Sequence, residues 1–468
     1  MERRTSNIEH RTSNAPRWAL RLLFVLCLLP VAASAVQVFR FPKPAFDSGY
    51  EVPMMPLPAP RSDVREWTDV AVLAVALALS AAISLRWRSR RAMMVLMLAC
   101  LAYFGFYRKG CVCPVGAVQN IAQALADPTY IVPGTVIAFF VLPLAFALFY
   151  GRAFCASVCP LGALQDIVAV KPVAIPGWLN RVLGLLRHLY LAMAVIYVVC
   201  GMGFIVCRYD PFVAFFRLGA NPGMMLFGAV VLAAGVFIAR PYCRFACPYG
   251  VLLGWAARLS RRHVTITPDD CIQCRLCEES CPFDAILPPT PPRAPESRRR
   301  GVRRVGLVLA ALPLIVAAST GIGMHLNVAL SRSHRTVALA ERVQQEDAGR
   351  FKEYSLESDA FRRTGKTRAE LFREALAVRG PLRVAGGWMG AYMGLVIGVT
   401  LVQLSVRRSR RDFVPDRSDC LSCARCFRIC PREAVRRGTV AGGATHPPPT
   451  AAPPMTAAAP REEGGATP

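Results

Sequence analysis

The sequence predicts an all-α polytopic membrane bundle of seven or eight transmembrane helices, carrying a small split α+β two-cluster ferredoxin module. Three observations predict it. Apolar runs of about twenty residues recur along the chain, the length a helix needs to cross a bilayer. Hydrophobic residues make up 54% of the composition and mean hydropathy is +0.36, yet the formal charge is +26, a combination that apolar blocks joined by basic loops explain. Eight of the eighteen cysteines fall in two tight runs, which points to metal ligation rather than a disulfide scaffold.

The spans, in order, are Val70–Leu85, Ala92–Phe106, Ile131–Tyr150, Leu189–Val206, Met224–Ala239, Val305–Ile322 and Ala385–Leu404. Leu20–Ala35 is the eighth candidate. Arg17 and Arg21 lead into it and Ala33-Ser34-Ala35 closes it, which fits either a cleaved signal peptide or an uncleaved first helix. Residues 1–16 repeat RTSN and 438–468 are rich in Ala, Pro and Gly, so both read as disordered. Residues 37–69 then form an outer segment, 70–260 the membrane core, 261–290 and 412–437 the two ferredoxin motifs, and 323–384 an outer helical loop.

The arginine runs RWRSRR (86–91) and RRRGVRR (298–304) sit beside apolar blocks rather than on a soluble face. The charge therefore reads as topology, with no nucleic-acid partner, and sets 86–91 and the segments after Tyr150, Ala239 and Leu404 on the cytoplasmic face of the inner membrane. Within the outer loop, Thr367-Arg368-Ala369-Glu370 followed by LFREAL reads as a capped amphipathic helix on the solvated surface.

The strongest chemical signal is Cys271-Ile-Gln-Cys274-Arg-Leu-Cys277-Glu-Glu-Ser-Cys281-Pro282, matched by Cys420-Leu-Ser-Cys423-Ala-Arg-Cys426-Phe-Arg-Ile-Cys430-Pro431. Both show the C-x2-C-x2-C-x3-C-P spacing of bacterial ferredoxins, in which the fourth cysteine serves the other cluster. The predicted ligand sets for two [4Fe–4S] clusters are Cys271, Cys274, Cys277 and Cys430, and Cys420, Cys423, Cys426 and Cys281. Structural zinc usually takes two CxxC pairs separated by a longer finger, which these runs do not resemble. The sharing requires the runs to meet. Two predicted spans lie between them, so both return to the same face.

Three further turns end in Cys-Pro: Cys111-Val-Cys113-Pro114, Cys155-Ala-Ser-Val-Cys159-Pro160 and Cys243-Arg-Phe-Ala-Cys247-Pro248. Proline directly after cysteine suits a helix start. Cys155, Cys159, Cys243 and Cys247 share one predicted face and are candidates for a further metal or a redox-active pair, the alternative being small apolar residues at helix breaks. Cys111, Cys113 and Cys207 fall on the other face, as a disulfide or an outer redox site. Cys27, Cys100 and Cys200 lie in apolar runs, where burial is the default.

Across Tyr107 to Pro289 the stretches GRAFCASVCPLGALQD, CRYDPFVAFFR, RPYCRFACPYG and the first ferredoxin run resemble the membrane polyferredoxins of the NosR/NapH type, which are 4Fe-4S binding integral membrane proteins. The resemblance implies electron transfer between the quinone pool or a cytoplasmic donor and a redox partner on the outer face. It aligns Cys155, Cys159, Cys243 and Cys247 with the family's CxxxCP cysteines, and Cys271 to Cys281 with its first cluster motif. The chain departs from the pattern in three ways. Residues 36–69 are too few for the outer flavin domain of the larger members, so flavin is expected on a separate partner and not on this chain. The two cluster runs are far apart, and the CVCP turn and Cys207 have no counterpart.

The expected function is a membrane-bound iron–sulfur electron-transfer protein, an electron-transfer subunit more than a stand-alone enzyme. The alternative is a redox-sensing regulator or an assembly factor for a metalloenzyme. No catalytic residue stands out: His188, His263, His325 and His334 are scattered, and Tyr190 beside His188 is a weak candidate for a quinone edge. The spans hold almost no ionisable residues, which argues against a transporter.

Overall fold

The computed structural model describes residues 62–438 except 111–112, 218–221, 267–270, 291–296 and 352. Leu20–Ala35, Cys27, Cys111 and both terminal segments lie outside the described residues. In chain order the helices are α1 (Asp63–Ala82), α2 (Arg90–Cys100), α3 (Pro114–Ala126), α4 (Gly134–Tyr150), α5 (Pro160–Val168), α6 (Gly177–Val199), α7 (Ile205–Tyr209), α8 (Pro211–Arg217), α9 (Pro222–Phe237), α10 (Pro241–Phe245) and α11 (Pro248–Arg258). Then come α12 (Leu276–Glu279), strand β1 (Ile286–Leu287), α13 (Arg298–His325), α14 (Asn327–Ser331), α15 (Arg335–Asp347), α16 (Leu356–Arg363), α17 (Arg368–Ser405), strand β2 (Val414–Pro415), α18 (Arg425–Ile429) and α19 (Pro431–Arg436).

Among the described residues five helices are long and apolar enough to cross a membrane: α1 and α2 with their π-helical extensions to Trp87 and Tyr107, then α6, α13 and α17. Two more, α4 and α9, follow predicted spans but have only 17 and 16 residues. Each stops short because the chain turns at once into a Cys-Pro segment. The predicted span Leu189–Val206 is replaced by α6, which begins earlier and ends at Val199, where Gly201 and Gly203 take φ of 70° and 95° and break the helix. None of the most apolar window of α13 is buried within the chain (0%), so that face needs lipid or another protein.

The Cys-Pro segments fold as half-helices. Tyr249, at the start of α11, donates its hydroxyl to Phe140 O midway along α4 (2.7 Å), while Arg262 N, beyond α11, donates to Phe149 O near the end of α4 (2.9 Å). α11 therefore starts deep in the bundle and returns to the end from which the chain entered. After α5 the chain is held likewise, with Lys171 N and Val173 N donating to Val236 O and Phe237 O at the end of α9. Such broken helices are tolerated at membrane depth only when packed inside protein, and Cys159 through Asp166 are all buried.

The segment expected as a solvated outer loop has a small core of its own, Val337, Ala340, Val343, Phe361, Leu371 and Ala375. The capping box at Thr367 and Glu370 is present, but the helix it opens is continuous with the last span, giving a 38-residue α17. Along α17, Gly386, Gly390, Gly394 and Gly398 recur every four residues against α13, the small-residue spacing that lets membrane helices approach closely. A Cβ at Gly390 would strike the carbonyl of Ser319, and one at Gly394 would lie 2.6 Å from Ser319 Oγ.

This seam carries a prediction. Gly390→Val meets backbone that no rotamer change relieves, so thermal unfolding in detergent should show a loss of roughly 1–3 kcal/mol or more. Gly306→Ala in α13 meets nothing within 4 Å and should be neutral or slightly stabilising. Equal stability of the two variants would show that the seam does not hold the helices.

Candidate metal centre

The two ferredoxin-type runs come together. β1 pairs antiparallel with β2 through Ile286 with Pro415 and Leu287 with Val414, and α12 packs on α18. Both runs adopt the same backbone. Gln273 and Ser422, the residues before each second cysteine, have φ of 54°, and Arg275 and Ala424, the residues after it, have φ of 62° and 60°. Left-handed non-glycine residues each cost free energy. That equivalent positions in both runs carry the cost marks two copies of one ligand loop.

Cys271, Cys274, Cys277 and Cys430 line a single cavity with Ile266 and Phe413. Cys281, Cys420 and Cys423 pack around Ala239, Phe283, Ala285 and Leu421, and Cys426 lies within electrostatic reach of all three. Burial pushes the Cys277 thiol up to about 11, with Cys271, Cys274 and Cys430 adding to the rise. Burial likewise pushes Cys420 up to about 12, with Cys423 and Cys281 adding to it. Thiols crowded this way suit a bound cation that displaces their protons. Among the described residues, no three His, Cys, Asp or Glu side chains converge closely enough for one metal ion. The two quartets are all-sulfur donor sets in apolar walls, the donor chemistry of an iron–sulfur cluster.

Buried ion pairs fasten the module to the membrane core. Asp166, at the end of the second Cys-Pro turn, is 7% exposed and meets Arg90 Nη2 at 2.6 Å, Arg240 Nε at 3.3 Å and Arg425 Nη2 at 3.0 Å. Burial alone would raise its pKa, but the three guanidiniums hold the carboxyl well below the usual carboxylate range. Arg425 comes from the second cluster run, and Arg90 also donates to Cys423 O at 3.3 Å. Glu433 of α19, fully buried, accepts from Arg88 at 2.9 Å and from Arg436 and Arg437 at 3.0 Å. Arg88 and Arg90, legible in the sequence only as topology signals, are therefore struts that dock the module. No local pattern marked Asp166 or Glu433.

The four cysteines of the second and third Cys-Pro turns also gather, with Cys159 in electrostatic reach of Cys155, Cys243 and Cys247. The first turn, predicted on the opposite face, reaches inward to meet them: Cys113 and Cys159 line one cavity with Phe154 and Phe216. A shared bracket orders both ends. Gln165 Oε1 accepts from Tyr242 N, just before Cys243, at 3.0 Å, and Gln119 Oε1 accepts from Val206 N, just before Cys207, at 2.8 Å. Gln119 and Gln165 each stand five residues past the proline in Cys-Pro-Val-Gly-Ala-Val-Gln and Cys-Pro-Leu-Gly-Ala-Leu-Gln. Cys207 lies beside Cys113, and a Cβ on Gly116 would sit 3.4 Å from its sulfur. Cys100 is buried and Cys200 partly so. His188 is drawn not to Tyr190 but to Tyr392, at 2.9 Å, with the Trp255 ring 6.2 Å away.

Two families, both described as 4Fe-4S binding domains, match the chain, one at residues 132–185 and 220–267 and the other at 264–287. The first covers both CxxxCP units and the second the first ferredoxin-type run; Cys420–Cys430 lies outside both. The chain is 34% identical over 131 residues to Protein NirI of Paracoccus denitrificans, covering 26% of this chain and 18% of that protein. It is 40% identical over 53 residues to the putative electron transport protein YccM of Escherichia coli, covering 11% of this chain and 15% of the relative. An uncharacterized protein of Methanocaldococcus jannaschii is 38% identical over 55 residues, 12% of this chain and 22% of its own. The chain thus spans about a fifth or less of the length of NirI and YccM. No solved structure matches. These likenesses support an iron–sulfur electron-transfer protein, distantly similar to NirI and to a protein named a putative electron transport protein.

Asp166→Asn would leave three arginines facing one neutral amide. Removing one partner from a buried ion network costs about 3–5 kcal/mol, so the variant should unfold at clearly lower temperature and release the module first, seen as early protease cleavage between α17 and β2. Wild-type stability and protection would show that the pairs are incidental.

Proposed function

We propose that the chain is an inner-membrane electron-transfer protein of the NosR/NapH type. On this reading it holds one [4Fe–4S] cluster on Cys271, Cys274, Cys277 and Cys430, and a second on Cys420, Cys423, Cys426 and Cys281, both at the cytoplasmic side. The observation that carries the reading is the cavity lined by three thiols of one run and one of the other, although α13 and α17 lie between them in the chain.

A cluster of this kind, when bound, supplies one-electron transfer. The chain's residues set the conditions. Ile266, Phe413, Phe283 and Leu421 keep water from the sulfurs, and Arg90, Arg152, Arg240 and Arg425 add positive charge near them, which favours the more negative, reduced state. The cytoplasmic assignment follows from the arginine-rich 86–91 connection, which docks on this module, and from the positive-inside rule. The partners on this reading are lipid around the bundle, the quinone pool or a cytoplasmic donor, and an extracytoplasmic redox protein that carries any flavin. The relative named as a putative electron transport protein supports the class of function.

The shared ligation is tested by single variants of the anaerobically purified full chain. Cys277→Ser and Cys430→Ser should each remove the same EPR signal and about four irons, and Cys281→Ser and Cys423→Ser the other signal. Loss of different signals from Cys277→Ser and Cys430→Ser would overturn the shared module. In membranes, a quinol should reduce the clusters rapidly; clusters that stay oxidised would sink the relay in favour of a sensor or assembly factor.

A further inference from the structure

We propose that Cys113 and Cys207 form a redox-active thiol pair on the outer side of the bundle, a dithiol that closes to a disulfide as it passes two electrons to a disulfide-bearing extracytoplasmic protein. The supply of electrons to the pair rests on the reading of the ferredoxin-type quartets as cluster sites; the pair itself does not.

Helices α3 to α6 separate the two cysteines in the chain, yet both sulfurs come to one glycine. Cys113 is the N-cap of α3, and the backbone N–H of Gly116 donates to its sulfur. Cys207, in α7, adjoins the same residue, with its Sγ 3.4 Å from where a Cβ on Gly116 would stand. A larger side chain there would crowd the Cys207 sulfur away. Gln119, fully buried, locks the register: its Nε2 donates to Ala194 O in α6 at 2.9 Å and its Oε1 accepts from Val206 N at 2.8 Å. Ile205 and Val206 are buried too, so Cys207 ends an anchored segment.

The two sulfurs are unequal, as exchange with a partner requires. Cys207 is exposed, and exposed disulfides are the labile and catalytic ones. Cys113 is sheltered in the cavity it lines with Cys159, Phe154 and Phe216. The pair also stands away from the ferredoxin-type module. Arg187, in the first half of α6, meets Asp419 of the second run at 3.5 Å, whereas Tyr197, near the end of α6 that leads to Cys207, donates to Ser333 Oγ of the segment predicted outside at 2.9 Å. Disulfides persist on that side of the membrane.

The exchange balances in two steps. The Cys207 thiolate attacks a disulfide of the partner, forming a mixed disulfide, and the first partner thiol takes the proton that Cys207 gave up. Cys113 then attacks the Cys207 sulfur, the second partner thiol leaves with the proton of Cys113, and the Cys113–Cys207 bond closes. The partner gains two electrons and two protons, and the pair loses them. Two clusters giving one electron each, with two protons, reopen the bond. The inward sulfur is the point of entry, because Cys113 shares its cavity with Cys159. Tyr242, whose buried hydroxyl has no hydrogen-bond partner among the described residues, lies in electrostatic reach of both Cys113 and Cys247. It places a proton-bearing group between the two sets of thiols.

The test uses the full chain, purified without oxygen and equilibrated in glutathione buffers of graded oxidised-to-reduced ratio. Thiols are then trapped with a maleimide and the peptides read by mass spectrometry. The linked Cys113–Cys207 peptide should give way to two blocked cysteines in a single two-electron wave. No link at any ratio would overturn the pair, and so would a link that opens only on unfolding. Cys111→Ser should leave the wave in place; its loss would assign the bond of Cys207 to another thiol. Gly116→Val should cut the linked fraction at unchanged iron content, and an unchanged fraction would count against pairing at that glycine. Cys277→Ser with Cys423→Ser separates this proposal from the preceding reading. The double variant should keep the glutathione wave, while a quinol should open the link in wild-type membranes and not in the variant. A link that glutathione opens in both and a quinol in neither would support the pair and refute its supply from the clusters.

Discussion

The architecture depends on one buried carboxylate. Asp166 draws together Arg90 from the start of α2, Arg240 from the turn that precedes the third Cys-Pro motif, and Arg425 from the second ferredoxin-type run. These are the places where membrane core, half-helices and module must agree in position. A neutral residue would leave three guanidiniums without a counter-charge, and it is their charge, acting against burial, that keeps the carboxylate ionised. With this point fixed, Glu433 with Arg88 and Arg152 with the carbonyl of Ser418 (3.0 Å) complete the polar part of a docking surface to which Ala239 and Leu85 add apolar contacts. The charges that hold the module in place also surround its thiols.

A second constraint lies in the hairpin of α13 and α17. The module is built from segments on either side of that hairpin, so its two halves can meet only if the helices return side by side. The glycine stripe on α17 brings the backbones close enough to do so, and β1 with β2 closes the join at the foot. Packing between two helices thus acts on a cysteine constellation that neither helix contains.

What the sequence disclosed and what it withheld divide along physical lines. Spacing within a run is local, so the two C-x2-C-x2-C-x3-C-P motifs and the three Cys-Pro turns were legible, and span parity put the two runs on one side. Apolar length was legible as well, but not that α4 and α9 are cut short by the turns that follow them. Through-space pairings left no trace. Arg90 reaches Asp166 across 76 positions and Arg88 reaches Glu433 across 345, and no periodicity connects them. The meeting of Cys113 with Cys159 was hidden for a related reason, because hydropathy locates a helix in a membrane but not the depth to which a half-helix inserts.

The interrupted order of the module bears on how the protein is made. Cys430 follows α17 in the chain, so the cavity it shares with Cys271, Cys274 and Cys277 has no fourth wall while the hairpin is still being threaded into the bilayer. A nascent chain would present three thiols and a gap. The complete quartet therefore exists only once the residues beyond α17 have been made and have folded back onto the first run.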